Sequence, residues 1–309
     1  MQWYWIVLIC VGALALLAFV ASYMMFRYAF VADRRIIDRV FREREKDPAP
    51  LVRTRYATKA YMDALEHENW TQTASDGTKL AAWFFPNGGT NKVAVLCHGW
   101  RSKPWWDFGK AFDIVYNAGY AVLAVNQRAQ GDSEGRYMTY GAKESEDLLG
   151  WIDRLCDRFR NDVHIAIMGV SMGGATVLCA TGKDLPDAVK CAVSDCAFTS
   201  AMDQFHAATN GRFSFLQTLA SPLVHRFVHI RYSDASPIEA VKRSKTPTLF
   251  VHGAADNFVP VSMMETLFDA CTAPEKARWL SPGALHAEAA MTNPDGYAEA
   301  VLPFLKTYL

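Results

Sequence analysis

The chain has 309 residues, of which 51% are hydrophobic and 21% charged, and its 32 basic and 32 acidic residues balance. This composition is typical of a globular protein and argues against a disordered one. Because no basic, aromatic-rich patch is present, we expect no nucleic-acid partner. The seven cysteines are an odd number, and several lie in apolar runs, so we expect reduced core residues with neither a disulfide framework nor a zinc site.

The first 26 residues contain no charged side chain and are almost entirely apolar. At about 1.5 Å of rise per residue, a helix of this length can cross the roughly 30 Å hydrocarbon layer of a membrane. Trp3, Tyr4 and Trp5 at one end and Tyr23 and Tyr28 at the other suit the two membrane interfaces. The sequence therefore predicts a membrane anchor over residues 1–26. A cleaved signal peptide is the alternative, but the run is long for one and no basic region precedes it.

A strongly basic stretch follows this anchor. Nine Lys or Arg residues lie between residues 27 and 55, against none before the apolar run. The positive-inside rule therefore predicts a single-pass protein of the cell membrane with its body in the cytoplasm. Apolar residues from Ile36 to Phe41 recur at helical spacing and predict a short amphipathic helix, which Pro48 and Pro50 end.

From residue 60 onward, apolar runs alternate with helical patterns. Two runs predict an opening hairpin, and six later runs predict strands: NWTQTA and KLAAWFF, then KVAVLCHG, YAVLAVNQ, VHIAIMG, VKCAVSD, TPTLFVHG and ARWLSP. Helix-length stretches lie at about 105–118, 143–160, 172–182, 261–271 and 294–308. The alternation predicts an α/β fold with a mostly parallel sheet covered by helices on both faces.

One interval, at about residues 198–245, is too long for a single crossover helix and predicts a helical lid insertion. Its aromatic residues can either line an acyl or aromatic pocket or pack the lid onto the core: Phe205, Phe213, Phe215, Phe227 and Tyr232. The predicted domains are a transmembrane anchor (1–26), a basic juxtamembrane segment (27–59) and a globular domain (60–309).

Polar residues follow the predicted strands at the edge where a parallel sheet binds its ligands. Ser171 lies between Gly169 and Gly173 after one strand, and Asp256 and His286 follow two later strands. A serine hydroxyl is a weak nucleophile unless an imidazole accepts its proton and a carboxylate orients that imidazole. The chain order serine, acid, histidine is that of proteins with a nucleophile elbow, whose sharp strand-to-helix turn leaves room only for glycine nearby. A plain strand-to-helix turn with Ser171 as a helix cap is the simpler alternative.

Several further motifs support the catalytic interpretation: HGW, NQRAQGDSEGRYMTYGAKESEDLLGWI, GVSMGG, DASPIEAVKRSKTPTLFVHGAADNFVP and LHAE. With them, the chain from residue 60 resembles the α/β-hydrolase superfamily, particularly bacterial membrane-anchored members similar to serine aminopeptidase-like and BEM46-like hydrolases. The resemblance implies that Ser171 is the nucleophile, His286 the general base and Asp256 its orienting acid. It also implies an oxyanion hole formed by the backbone N–H groups of Trp100 and Met172. Such a mechanism needs no cofactor and no metal.

Two features of the sequence bear on the specificity of the site and on the identity of its acid. The superfamily often has an Asp-x-Arg-Gly-His-Gly pattern where this chain has Asn126 to Gly131, NQRAQG, which bears on specificity. Asp195 is a second candidate for the acid, because related hydrolases place it after either of two strands. We favour Asp256 because the stretch HGAADNFVP has the loop length that the superfamily uses.

The sequence therefore predicts a membrane-anchored serine hydrolase that cleaves carboxylic esters through an acyl-enzyme. Its substrate would be a small-molecule ester or a short peptide. A peptidase or amidase of the same fold is the first alternative. An acyltransferase and a non-catalytic binding protein on a hydrolase scaffold are the others, and the presence of all three triad residues argues against the last.

Overall fold

The computed structural model describes residues 3–212 and 214–309. The strands are β1 (Glu68–Thr73), β2 (Lys79–Phe85), β3 (Lys92–Cys97), β4 (Ala121–Asn126), β5 (His164–Val170), β6 (Val189–Asp195), β7 (Thr248–Gly253) and β8 (Lys276–Ser281). The helices are α1 (Trp3–Phe30), α2 (Arg34–Arg44), α3 (Pro50–Ala64), α4 (Pro104–Phe108), α5 (Lys110–Asn117), α6 (Glu144–Arg158), α7 (Met172–Thr181), α8 (Ala201–Ala208), α9 (Ser214–Val228), α10 (Pro237–Val241), α11 (Val261–Ala270), α12 (Ala289–Thr292) and α13 (Pro294–Tyr308).

The eight strands form one sheet in the order β1-β2-β4-β3-β5-β6-β7-β8. The pairs β1–β2 and β2–β4 are antiparallel, and the remaining pairs are parallel. The predicted fold class is confirmed: the sheet is mostly parallel, and helices α8 to α10 interrupt the alternation between β6 and β7. The stretch predicted as one helix at 105–118 is instead two helices, because Gly109 adopts a φ of 40° between them.

Helices cover both faces of the sheet because its side chains alternate between them. Val95 of β3 packs in one apolar cluster with Trp151 of α6, whereas its neighbour Leu96 packs in another with Phe112 of α5 and Val301 of α13. All five side chains are 1% exposed or less. Full burial of such a side chain stabilises the fold by about 1.5–3 kcal/mol each.

The strand order reverses between β3 and β5. After β3 the chain turns to β4 on one side, and after β5 it turns to β6 on the other. Cys97 at the end of β3 pairs with Gly169 of β5, so the two strands end side by side. A crevice opens at such a switch point in parallel sheets, and ligands bind there.

Helix α1 is long and apolar enough to cross a membrane, with a mean hydropathy of 2.6 over its most apolar window. Most of its side chains are exposed, but Phe26, Ala29 and Phe30 near its end are buried. The ring of Phe30 contacts that of Tyr140, with 5.3 Å between centroids. The helix thus continues past residue 26, and its last turns pack against the globular body.

Helices α2 and α3 also pack on the body, since Ile37, Phe41 and Met62 are buried in the core cluster that contains Trp105. Pro50 occupies the first turn of α3, where the missing proline N–H has no helical partner to lose. From the sequence alone, Pro50 indicated only the end of a helix, and α3 was not predicted. The division into anchor, juxtamembrane segment and globular domain stays a prediction.

Candidate active site

Ser171 occupies the sharp turn between β5 and α7. Its backbone angles, φ 56° and ψ −118°, lie outside the regions that most residues adopt and cost about 1–3 kcal/mol. A Cβ on Gly169 would lie 2.1 Å from the Gly173 carbonyl oxygen, and one on Gly173 would lie 1.8 Å from that of Cys97. Both positions therefore require glycine, and the turn projects the serine into the crevice.

Ser171, His286 and Asp256 form a continuous chain of hydrogen bonds. The distance from Ser171 Oγ to His286 Nε2 is 2.9 Å, and that from His286 Nδ1 to Asp256 Oδ2 is 2.7 Å. The side chain of Asp256 is fully buried, whereas that of His286 is 20% exposed. The structure thus brings together three residues that follow β5, β7 and β8, in an arrangement that can carry a proton from the serine to the imidazole.

The Asp256 carboxylate accepts several hydrogen bonds. Its Oδ1 accepts the backbone N–H groups of Phe258 and Val259, each at 2.9 Å. Its Oδ2 lies 3.3 Å from His252 Nε2, in addition to its contact with His286. Burial alone would raise the pKa of Asp256, but the hydrogen bonds from the two histidines and the backbone hold that pKa well below its usual range. The carboxylate therefore stays charged beside His286.

The contact between His252 and Asp256 was not predicted from the sequence. His252 Nε2 lies 2.9 Å from the Val259 carbonyl oxygen and faces Asp256, four residues later in the chain. Burial opposes a charge on His252, but the contact with Asp256 outweighs it and raises the pKa of His252. The signal that could have found this contact was the histidine at the very end of the strand that precedes the acid.

Asp195, the second candidate acid, lies at the end of β6. Its backbone carbonyl accepts the N–H of Ser171 at 2.8 Å, while its side-chain Oδ1 is buried without a hydrogen-bond partner among the described residues. Burial raises the pKa of Asp195 to about 6, against the opposing influence of His252 and His286. The carboxyl that contacts His286 in the structure is that of Asp256.

The two predicted oxyanion donors lie at the ends of neighbouring elements. Met172 begins α7, where backbone N–H groups have no partner within the helix, and Trp100 lies in the loop after β3. Among the described residues, neither backbone N–H donates a hydrogen bond to another protein group. The loop after β3 is held in place because Gly99 N–H donates to Asp107 at 2.6 Å. One free donor at a helix N-terminus and a second in the loop after β3 suit a developing negative charge.

The divergent segment from Asn126 to Gly131 supports the loop after β3. Gln127 donates its side-chain amide to the His98 carbonyl oxygen at 3.0 Å and its backbone N–H to His98 Nε2 at 3.1 Å. Arg128 makes a bidentate ion pair with Asp147. Burial lowers the pKa of His98, whose contacts are local. The segment therefore shapes the site without contacting Ser171.

Two cavities meet at Ser171 and share Trp100 and Phe258 in their walls. The larger, of about 590 Å³, carries six charged groups: Arg44, Arg55, Arg101, Asp47, Asp107 and Glu288. The smaller, of about 260 Å³, has mainly apolar walls, which include Tyr140, Phe198 and Phe205.

Two aromatic residues of the lid take the two roles that the sequence left open, one each. Phe205 lines the smaller cavity. The ring of Tyr232 packs against the rings of Phe205 and Phe30. Phe215 and Phe227 are instead exposed, at 58% and 43%. Phe213 lies outside the described residues.

One group of side chains among the described residues offers three potential metal ligands close together. Atoms of Cys196, Asp256 and His286 lie within 4.8 Å of one another. Asp256 and His286 are already joined by a hydrogen bond. Burial raises the pKa of the Cys196 thiol and so disfavours the thiolate, which is the form that binds metals. These groups suit proton transfer better than cation binding.

The model of the prolyl oligopeptidase family matches residues 106–306. The chain belongs to this family. It is 23% identical to the Bacillus subtilis protein YqkD over 303 residues, which cover 97% of this chain and 96% of that one. It is 27% identical to the Saccharomyces cerevisiae membrane protein YNL320W over 248 residues, which cover 78% and 80%.

Among solved structures, the chain is similar to the Pyrococcus furiosus esterase Pf2001, with a TM-score of 0.66 and 24% identity over 79% of this chain and 93% of that one. This likeness concerns the fold. The predicted membership of the α/β-hydrolase superfamily is confirmed, and the family match identifies the chain as a hydrolase.

Proposed function

We propose that the chain is a membrane-anchored serine hydrolase that cleaves carboxylic esters through an acyl-enzyme. The observation that carries the proposal is the hydrogen-bonded chain from Ser171 through His286 to Asp256. The strained turn at Ser171 supports it, because such strain persists only where the surrounding structure maintains it, and it clusters at functional sites.

The chemistry follows from the positions of the groups. Ser171 Oγ attacks the ester carbonyl carbon as His286 Nε2 accepts its proton, and the buried charge of Asp256 stabilises the imidazolium that forms. The backbone N–H groups of Trp100 and Met172 donate to the oxyanion. The tetrahedral intermediate then collapses, and His286 returns the proton to the leaving alkoxide. Water, activated by the same imidazole, attacks the acyl-enzyme and releases the acid.

Labelling with a fluorophosphonate probe tests this proposal. Of the fifteen serines, Ser171 alone should react: Ser214 also contacts an imidazole, that of His206 at 2.9 Å, but only Ser171 combines such a contact with an orienting carboxylate and the proposed oxyanion donors. Ser171→Ala should abolish both labelling and ester hydrolysis while the protein stays folded. The matched control is Ser262→Ala, a serine of α11, which should leave both unchanged. Labelling of Ser171→Ala at the wild-type rate would exclude Ser171 as the nucleophile.

A peptidase or amidase activity is the second candidate, and the match to the prolyl oligopeptidase family favours it. The same groups would serve, but His286 would have to protonate an amine leaving group. Comparison of kcat/KM for aminoacyl nitroanilides and nitrophenyl esters separates the two candidates.

We also propose that α1 anchors the protein in the cell membrane with the body in the cytoplasm. The nine basic residues after the apolar run support this orientation, and the yeast relative is itself a membrane protein. Protease added to intact cells should spare the body, and lysis should make it accessible. Digestion in intact cells would reverse the proposed orientation.

A further inference from the structure

The smaller cavity at Ser171 has one wall that comes from the apolar N-terminal helix. Met25, Tyr28 and Ala29 of α1 line it, together with residues of the body and the lid. Met25 and Ala29 are one turn apart, so at about 1.5 Å per residue this wall extends roughly 6 Å along α1. The cavity therefore leads from Ser171 along the helix that is suited to cross a membrane.

The end of α1 is tied to the loop that carries the proposed oxyanion donor. The indole N–H of Trp100 donates to the Ala29 carbonyl oxygen at 2.9 Å, and the Tyr140 hydroxyl donates to the same oxygen at 2.8 Å. Arg101 donates to the Tyr28 carbonyl oxygen at 2.8 Å, and its guanidinium lies 4.5 Å from the centre of the Trp100 ring. These bonds connect the last turn of α1 to the active site.

The cavity meets α1 near the level of a membrane interface. A helix of 28 residues is about 42 Å long, which exceeds the roughly 30 Å hydrocarbon layer, so its last turns extend beyond the layer. Helix α9 lies beside this end, with 6.1 Å between the rings of Phe26 and Phe227. It also exposes Phe215 and Leu219, one turn apart. Exposed apolar residues of a helix beside a membrane span suit the headgroup and acyl boundary.

We propose that the smaller cavity binds the acyl chain of a single-chain amphiphile that enters from the membrane along α1. This inference rests on the proposed ester hydrolysis at Ser171 and names its substrate class. The ester carbonyl lies at Ser171, where the two cavities meet, and the apolar chain extends toward Met25. The polar headgroup, as the leaving alcohol, occupies the larger cavity. Three arginines and three acidic residues line that cavity, so their charges balance. The cavity therefore suits a polar headgroup that has no net charge.

Two glutamines, Gln204 and Gln217, line the smaller cavity, and the side-chain oxygen of Gln204 is also buried without a partner among the described residues. Gln217 of α9 is 1% exposed, and neither its amide nitrogen nor its amide oxygen has a partner among the described residues. A plain alkyl chain leaves this amide unsatisfied, whereas a chain with a hydroxyl at that depth can both accept from the nitrogen and donate to the oxygen. Replacement of Gln217 by leucine should therefore favour plain alkyl chains.

The test uses full-length protein in nanodiscs and compares kcat/KM for nitrophenyl dodecanoate and nitrophenyl acetate. Met25→Trp fills the cavity and should lower the dodecanoate-to-acetate ratio by about tenfold or more. Gln217→Leu should raise the same ratio by about fivefold. The control is Met24→Trp, which places the same ring on the adjacent, 61% exposed position of α1 and should leave the ratio unchanged.

The outcomes separate the two proposals. If the wild type hydrolyses neither ester and no serine is labelled, the proposed function fails. If it hydrolyses both esters but Met25→Trp and Gln217→Leu leave the ratio unchanged, the acyl-chain inference alone is wrong. Monooleoylglycerol should also be cleaved faster when it shares the nanodisc with the protein than when separate nanodiscs supply it. Equal rates would overturn entry from the membrane.

Discussion

Two aspartates lie at the ends of neighbouring strands: Asp195 is the last residue of β6, and Asp256 follows β7 by three residues. The surroundings of the two carboxyl groups are opposite. The loop after β7 supplies Asp256 with backbone donors from Phe258 and Val259, and His252 of β7 and His286 after β8 also contact its carboxylate. The loop after β6 leaves Asp195 buried with an oxygen that has no partner among the described residues. The first carboxyl has a lowered pKa, and the second has one raised to about 6.

The comparison shows that position at a strand end does not by itself make a carboxyl a catalytic acid. A buried carboxylate keeps its charge only where hydrogen-bond donors replace the lost water. The short turn from Asp256 to Val259 supplies those donors. Asp195 instead contributes its backbone carbonyl, which accepts the Ser171 N–H and helps to hold the strained turn.

The largest expected effect is that of Asp256→Asn. The amide cannot stabilise the imidazolium and favours the wrong histidine tautomer, so kcat should fall by roughly 10³ to 10⁴. The measurement is the turnover of one activated ester by the purified full-length variant, with fluorophosphonate labelling to count sites. A loss smaller than that of the corresponding Asp195 variant would reverse the roles of the two acids.

His252→Phe should have the next largest effect, because it removes the polar contact of His252 Nε2 with the Asp256 carboxylate, which lies 3.3 Å away. Hydrogen bonds to charged groups contribute about 1.5–3 kcal/mol, so kcat should fall by roughly ten- to a hundredfold. His252→Gln retains a donor and should recover much of the loss. The acid limb of the pH–rate profile should also move upward in the phenylalanine variant. If both variants lost the same activity with unchanged pH profiles, His252 would have only a packing role.

Asp195→Asn should lower kcat by about tenfold or less, a change of roughly 1.4 kcal/mol in the barrier. Its backbone carbonyl, which contacts Ser171, is unchanged by the substitution. The assay is the one used for the Asp256 variant, so the two substitutions form a matched pair. A loss of a thousandfold would assign a catalytic charge to Asp195.

The same substitution should change how stability depends on pH. A carboxyl whose folded pKa is about 6 binds a proton in the folded state at a pH where the unfolded chain, with a usual pKa of about 3.9, has released it. The wild type therefore loses stability as the pH rises from about 4 to 6, by on the order of 3 kcal/mol. Relative to wild type, Asp195→Asn should gain in Tm between pH 4 and pH 7. An unchanged difference in Tm would contradict burial of an ionisable Asp195.

Much of this molecule could be predicted because its signals are local. The apolar run before Ser171 predicts β5, and the two glycines around the serine predict the sharp turn, since each effect depends on residues a few positions apart. Gly109 is a different case, because it lies inside a stretch that was predicted as one helix. Only its positive φ in the folded chain shows that the helix breaks there. Pro50 is compatible with both the end and the start of a helix, so the sequence alone did not predict α3.

By itself, the sequence determined the order of the eight strands, the apolar N-terminal helix, the glycines at the turn and the three residue types of the proposed triad. Only the tertiary structure decided that Asp256 meets His286, that His252 joins them, and that the end of α1 lines a cavity beside Ser171. The reason is physical. Periodicity and turn chemistry act between near neighbours in the chain, whereas the bond from Trp100 to Ala29 joins residues that only the packing of the whole sheet and lid brings together.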